Sequence, residues 1–189
     1  MIDFTVHTID TAPEESRATM EEVKSAFGRV SGLIAVMAEA PALAKSYWQL
    51  HNTFMNETTF DKDELTVIWQ TINVEHECHY CVPGHTGIAK MMKVDDAITN
   101  ALRDETPLPN THLEALRTFT LQVVRQRGKV TQDQMQAFVE AGYTKRQILE
   151  VLVGTAQKVM SNYTNAIAQT PVDPAMQAYA WEKATPAMA

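Results

Sequence analysis

The chain has 189 residues, a formal net charge of −7 with its histidines neutral, and 45% hydrophobic against 21% charged residues. This length predicts one domain over residues 1–189, with a core at about 13–170 and a tail at about 171–189. The negative charge disfavours nucleic acid and anionic membranes as partners, because both need a basic patch. The longest plain apolar run, Leu33 to Ala38, is too short to span a bilayer.

The first ten residues contain no basic region followed by an apolar core, which argues against a secretory signal. The expected location is therefore the cytoplasm. In that reducing compartment, a close pair of cysteines is more often catalytic or metal-binding than a structural disulfide.

Apolar residues recur at helical spacing along the whole chain, and glycines are few, which predicts an all-α fold. Gly128 and Gly142 are expected to end the helices that precede them. The first three predicted helices start at a Thr11 to Glu14 capping box, at Pro41 and at about Lys62. A fourth starts near Cys78 to Cys81 and runs through Met92. Further helices are predicted over Asp95 to Arg103, Thr111 to Arg127, Gln132 to Glu140, Lys145 to Ala168 and about Ala175 to Glu182.

The segment from Glu75 to His85 holds both cysteines and three of the six histidines. On a helix, Cys78 and Cys81 are three positions apart and share one face. His85 follows Cys81 by four positions, so its imidazole is the base best placed to take the thiol proton.

The position of these cysteines at a helix start is itself chemically important. Pro83 and Gly84 suggest a first turn, where a missing backbone N–H is tolerated. Unpaired N–H groups and the helix dipole favour an anion there, and they lower a cysteine pKa from ~8.5 to ~3.5–7.5. The segment therefore predicts a reactive thiolate.

Residues Cys78 to Cys81 have the pattern cysteine, any residue, tyrosine, cysteine, and His85 follows after three more residues. This pattern resembles the motif of the alkyl hydroperoxidase D-like family, within the carboxymuconolactone decarboxylase superfamily. The likeness covers roughly residues 13 to 170. Its flanking segments are Asp63-Glu64-Leu65, Ala141-Gly142-Tyr143, Gln147 to Val151 and Ser161 to Asn165.

This resemblance implies a single-domain helical bundle of the AhpD-like type that reduces hydroperoxides with its cysteine pair. It implies a lipoyl-bearing or thioredoxin-like protein as thiol reductant, assembly into trimers or hexamers, and no haem, flavin or metal.

By the same resemblance and the His85 spacing, Cys81 attacks the peroxide and Cys78 resolves the product as a disulfide. Glu64 is implied to complete the proton relay with His85. Its spacing from Asp61 is also that of a capping box, which would place it in a first turn for structural reasons alone. Glu75 is the alternative carboxylate.

Other functions remain compatible with the sequence. The cysteines can be two buried apolar thiols, or they can join His85 and one of His76 and His79 in a zinc site. A cofactor-free lactone decarboxylase would need no thiols at all.

His76 and His79 are predicted to face solvent. Several other residues have two interpretations. Asn162 and Asn165 either support the site by hydrogen bonds or lie on the surface. Trp69, Tyr80, Met91 and Met92 either line a pocket or belong to the core.

Overall fold

A computed structural model describes residues 2–183. Its regular secondary structure is helical throughout this range, and the predicted all-α, single-domain AhpD-like bundle is confirmed. The helices are α1 (Glu14–Phe27), α2 (Gly32–Met37), α3 (Pro41–Glu57), α4 (Lys62–Glu75), α5 (Cys81–Met91), α6 (Asp96–Arg103), α7 (Thr111–Arg125), α8 (Gln132–Glu140), α9 (Lys145–Ala168) and a 3₁₀ helix (Pro174–Tyr179).

Most predicted helix boundaries agree with the structure to within two residues, because local capping sets them. Helices α8 and α9 begin after capping boxes at Thr131 and Thr144. Gly142, at a left-handed φ of 104°, follows the end of α8.

One prediction about the N-terminal part was wrong, one short helix there was missed, and part of the predicted C-terminal tail lies outside the described residues. Thr11 does not cap α1; its hydroxyl bonds within the preceding turn to Thr8, and α1 begins at Glu14 without a side-chain cap. Helix α2 was not predicted, since six residues are too few to show a period. Residues 184–189 of the predicted tail lie outside the described residues.

Helix α4 is the central element, because every residue from 64 to 74 is buried. One core surrounds it and is built mainly from α4, α6, α7, α8 and α9, with Ile68, Trp69 and Phe119 among its members. A second core lies between α1, α2, α3 and the cysteine segment. The cysteine segment therefore lies where the second core adjoins the first.

Helix α9 packs against both α3 and α4. Close contact is possible because Gly154 has no side chain; a Cβ there would lie 2.7 Å from Phe54 Cζ and 2.9 Å from Ile68 Cγ2. Further along α9, the buried face becomes polar, with Gln157, Lys158, Ser161, Asn162 and Asn165.

In residues 2–183, no helix combines the length and the apolar character needed to cross a bilayer.

We predict that Gly154→Ala destabilises the protein by about 1–3 kcal/mol, because the new methyl group overlaps Phe54 and Ile68. Helix propensity alone would raise the free energy of unfolding of this variant by about 1 kcal/mol. We expect the overlap to outweigh this gain, so that the free energy of unfolding falls. Gly87→Ala in α5 is the matched control, since a Cβ there meets Tyr179 at an ordinary 3.6 Å. Urea unfolding measures both; equal or raised stability of Gly154→Ala would contradict this packing.

Candidate active site

The two cysteines lie at the turn that joins α4 to α5. Glu77 has a left-handed φ of 51°, and the Cys78 N–H donates to the Asn73 carbonyl at 2.9 Å. Cys81 is the first residue of α5. The sequence prediction of a helix start at this motif is therefore confirmed.

The sulfurs of Cys78 and Cys81 are bonded, and their Cα atoms are 5.2 Å apart, within the usual range for a disulfide. The backbone N–H of Cys81 also points to Cys78 Sγ, at 3.1 Å. Cys78 is 4% exposed and Cys81 3% exposed. The structure thus shows the oxidised pair, held inside the protein.

Asn165 of α9 contacts this disulfide directly. Its Nδ2 donates to Cys81 Sγ at 3.1 Å and lies 3.9 Å from Cys78 Sγ. Asn162, one turn earlier, donates to Asn73 Oδ1 at 2.9 Å, and Asn73 donates to the Cys81 carbonyl at 3.3 Å. Both asparagines are buried and support the cysteine turn; neither lies on the surface.

His85 lies one turn after Cys81 and is 6% exposed. Its ring packs against Trp69, with centroids 4.8 Å apart, and its Nε2 is 2.8 Å from Lys158 Nζ. Its Nδ1 is buried and has no hydrogen-bond partner among the described residues. Burial lowers the pKa of His85 well below its ordinary value, and the charges of Lys158 and His51 lower it further.

Lys158 is 1% exposed and forms no ion pair with a carboxylate within residues 2–183. Burial lowers its pKa to about 7. Burial, followed by the charge of Lys158, also lowers the pKa of His51 to about 4. Gln157 orients His51 by donating to its Nδ1 at 3.1 Å. Neither Lys158 nor His51 was singled out from the sequence.

A cavity of about 160 Å³ brings these groups together. Cys81 lines it, whereas Cys78 is not among the lining residues. Its basic side chains are His51, His85, Lys158 and Arg29; most other wall residues are apolar or aromatic, and the remainder of the lining is Val23, Phe27, Ser31, Leu33, Ile34, Tyr47, Trp48, Tyr80, Gly84, Ile88, Met91 and Met176.

The rim of this cavity includes solvent-exposed side chains. Phe27 is 41% exposed and Met91 67% exposed. Of the four residues suggested from sequence as a pocket wall, Tyr80 and Met91 line the cavity. Trp69 contacts His85 from the core, and Met92 packs on the core around α4.

The segment after α9 closes one side of the site. Asp173 accepts hydrogen bonds from Tyr80 Oη at 3.0 Å, from the Gly32 N–H at 3.1 Å and from Arg29 at 3.3 Å. Met176 of the 3₁₀ helix lies against Gly84, where a Cβ would be 3.4 Å from its sulfur. This segment therefore ties α2 to the cysteine helix.

Glu64 lies in the first turn of α4. It forms the capping box with Asp61, accepting from the Asp61 N–H at 2.9 Å, and its other oxygen is 3.4 Å from His112 Nε2. About 16 Å of helix separates it from Glu75, where α4 ends next to the cysteine turn. The hydrogen bonds of Glu64 do not reach His85 or the cysteines, and its relay role stays a prediction.

Glu75, the alternative carboxylate, pairs with Arg125 at 2.7 Å. Hydrogen bonds from Arg125 hold the pKa of Glu75 below its ordinary value. The prediction that both nearby histidines face solvent was half wrong: His79 is exposed, whereas His76 is half-buried and bonds Asn162 at 3.0 Å.

Within residues 2–183, no three histidine, cysteine, aspartate or glutamate side chains are grouped so that they could hold a metal ion.

Comparison of the sequence with protein-family models and with curated proteins gave no match. Solved structures do match. The alkylhydroperoxidase AhpD core of an uncharacterized peroxidase-related protein from Ralstonia eutropha JMP134 superposes with a TM-score of 0.79 at 19% identity, covering 92% of this chain and 93% of that one. An uncharacterized peroxidase-related protein from Silicibacter sp. TM1040 gives 0.77 at 16%, covering 93% and 92%.

The chain has the AhpD-like fold. A third similar structure with this fold is the debrominase Bmp8, as a cysteine-to-alanine variant in complex with 2,3,4-tribromopyrrole, with a TM-score of 0.77 at 16% identity over 94% of this chain and 95% of that one. Identities this low establish the fold alone.

We predict that Asn165→Ala raises the pKa of the Cys81 thiol by about one to two units, since a hydrogen bond to an anion contributes about 1.5–3 kcal/mol. The measurement is thiolate absorbance against pH in a Cys78→Ser background, where Cys81 is the remaining thiol. Asn56→Ala, at an exposed position of α3, is the control. An unchanged titration of Asn165→Ala would show that its contact does not support the thiolate.

Proposed function

We propose that this protein is a thiol-dependent peroxidase that reduces organic hydroperoxides with Cys78 and Cys81. One observation supports it above the others: a bonded cysteine pair whose member Cys81 lines a cavity together with His85. A structural disulfide would need neither the cavity nor the base. The AhpD-like fold and its peroxidase-related neighbours agree with this function.

The reaction starts from the reduced pair. His85 accepts the Cys81 proton, and the thiolate attacks one peroxide oxygen, so that an S–O bond forms and the O–O bond breaks. The departing alkoxide takes the proton and leaves as an alcohol. The Cys78 thiol then attacks the sulfenic acid, which yields the disulfide and water. Two electrons pass from the two thiols to the peroxide.

The roles of the two cysteines follow from their surroundings. Cys81 lines the cavity, has His85 one turn away and receives the Asn165 hydrogen bond at 3.1 Å. Cys78 precedes the helix and lies outside the cavity lining, at bonding distance from Cys81. These positions suit Cys81 as attacker and Cys78 as the resolving thiol.

The walls of the cavity indicate the kind of peroxide. They are mainly apolar and aromatic, with Leu33, Ile34, Trp48 and Ile88 among them. A volume of about 160 Å³ suits a compact organic group better than a long chain. The proposed substrate is therefore a small apolar hydroperoxide.

The reductant must return the disulfide to the dithiol through a mixed disulfide. Because both sulfurs are nearly inaccessible, a protein that carries its thiol on a broad surface would have difficulty reaching them. A dithiol on a narrow apolar arm, such as a lipoyl group, can enter the cavity, so we propose a lipoyl-bearing partner ahead of a thioredoxin-like one. The trimer or hexamer and the cytoplasmic location expected from the sequence stay predictions.

Reductive dehalogenation is a second candidate. The similar structure of Bmp8 is a debrominase, and aromatic side chains line the cavity of this chain beside Cys81. Two thiols would then reduce an aryl bromide to the arene and bromide ion, again forming the disulfide. Assays with a small hydroperoxide and with a brominated heteroaromatic compound under the same reductant separate the two activities.

We predict that Cys81→Ser abolishes hydroperoxide reduction, because the attacking sulfur is lost. Cys78→Ser retains the first step and stops at the Cys81 sulfenic acid after a single turnover, which mass spectrometry of the dimedone adduct detects. If the protein were instead a lactone decarboxylase, both variants would keep their full decarboxylase activity. Steady turnover by Cys81→Ser would exclude the proposed chemistry.

We also predict that Ile88→Trp, which narrows the cavity, raises KM for cumene hydroperoxide about tenfold while hydrogen peroxide reduction changes less than twofold. Hydrogen peroxide is the internal control, since it needs little space. Equal losses for both peroxides would mean that the cavity does not select the substrate.

A further inference from the structure

Lys158 carries a nearly inaccessible amino group that the thiol chemistry described above does not use. It projects from α9 into the same cavity as Cys81 and lies 2.8 Å from His85 Nε2. Burying a charge is costly unless an anion or a hydrogen-bond partner compensates for it. Its observed partner is an imidazole, which supplies no negative charge.

The surroundings of Lys158 contain bases and neutral groups. Helix α3 contributes Tyr47 and His51 to the cavity, and α5 contributes Cys81 and His85. Burial raises the pKa of Tyr47 to about 12, so its phenol stays neutral at pH 7. The residues of α2 from 32 to 37 carry no titratable side chain.

Acidic side chains on the elements that surround the cavity have other partners. Glu64 and Glu75, at opposite ends of α4, contact His112 and Arg125. At the cavity mouth, Asp173 pairs with Arg29 at 3.3 Å. In α1, Glu22 accepts a hydrogen bond from Trp48 Nε1 at 2.9 Å. In α9 itself, Glu150 pairs with Arg146. Burial raises the pKa of the Tyr80 phenol, which also lines the cavity and stays neutral at pH 7. Among the described lining residues, the sulfur of Cys81 is therefore the remaining group that can become an anion near neutral pH.

His85 contacts Lys158 through Nε2 and lies one turn after Cys81 in α5. Its Nε2 is the nitrogen at Lys158, so Nδ1 is left for a second partner, and this buried atom has none in the oxidised protein. An imidazole that binds one group through each nitrogen can pass a proton between them. The unpartnered nitrogen is what such a relay requires when the disulfide is closed and there is no proton to transfer.

We propose that Lys158 is the positioning residue that keeps Cys81 anionic: it takes the thiol proton through His85 and then balances the charge of the sulfur. The proton moves from Cys81 Sγ to His85 Nδ1, while the Nε2 proton moves to Lys158 Nζ. During peroxide cleavage the same path runs in reverse and delivers the proton to the departing alkoxide. This inference rests on the proposed function and assigns Lys158 the place of a relay carboxylate.

The test uses reduced protein in the Cys78→Ser background, with thiolate absorbance and the rate of iodoacetamide alkylation recorded against pH. Lys158→Met retains an unbranched side chain of similar length and removes the charge. An opposite charge within a few ångströms shifts a pKa by about one to three units. We expect the Cys81 pKa to rise by at least one unit, and alkylation at pH 7 to slow about tenfold.

Lys158→Arg keeps a positive charge and is expected to hold the Cys81 pKa within half a unit of the parent protein or below it. Lys145→Met, at the exposed start of α9, is the control and should change nothing. Lys158→Met is expected to fold, because exchanging a buried charge for an apolar side chain is often neutral or stabilising. Circular dichroism and urea unfolding of each variant verify this.

Two results would overturn the proposal: a Cys81 pKa in Lys158→Met equal to that of the parent protein, or a rise in Lys158→Arg as large as in Lys158→Met, which would make packing the cause. Failure of the proposed function has a different signature. In that case the unmodified chain shows no cysteine-dependent hydroperoxide turnover, while the titration of Cys81 still reports on Lys158.

Discussion

The contact between Lys158 and His85 sets the electrostatics of the whole site. Both groups are buried, both have lowered pKa values, and within residues 2–183 no carboxylate pairs with the lysine. In the oxidised protein this arrangement favours neutral bases. An anion at the neighbouring sulfur changes that balance, because a positive charge in the cavity then becomes favourable. The state of the cysteines and the state of the bases are thus coupled.

Helix α9 holds this arrangement in place. Its first half packs apolar side chains and Gly154 against α3 and α4, and its second half presents Lys158, Asn162 and Asn165 inward. A polar stripe would be unfavourable inside a protein without partners. Here each member binds a group of the cysteine site: an imidazole, a supporting asparagine or a sulfur. These contacts therefore account for the polar composition of the inner face of this helix.

The sequence was sufficient for the fold and for the centre of the candidate site. Capping boxes, glycine stops and apolar periodicity are local signals, so they located α4, α8 and α9 well. The pairing of Cys81 with His85 depends only on helical spacing, and the structure places both at one cavity. The six residues of α2 fell below the length at which periodicity can be read.

What the sequence could not provide was contact between distant segments. Lys158 and His51 join His85 only through packing of α9 and α3, across 73 positions for the contact with Lys158. For Glu64, resemblance implied a relay and local spacing implied a cap; the folded chain shows the capping contacts and a contact with His112. A polar stripe at Lys158, Ser161, Asn162 and Asn165 was the available signal, since four polar residues on one face of a long helix are a reason to expect partners.

The apolar wall of the cavity and its reactive side chains come from different parts of the chain. Residues of α1, α2 and α3 supply most of the apolar cavity wall, while α5 and α9 carry the sulfur, the imidazole and the lysine amino group. Substitutions in the N-terminal third can therefore reshape the binding space without disturbing the reacting atoms. Such a division leaves the scaffold room to diversify, because the shape of the cavity can change through α1, α2 and α3 while Cys81, His85 and Lys158 are inherited unchanged.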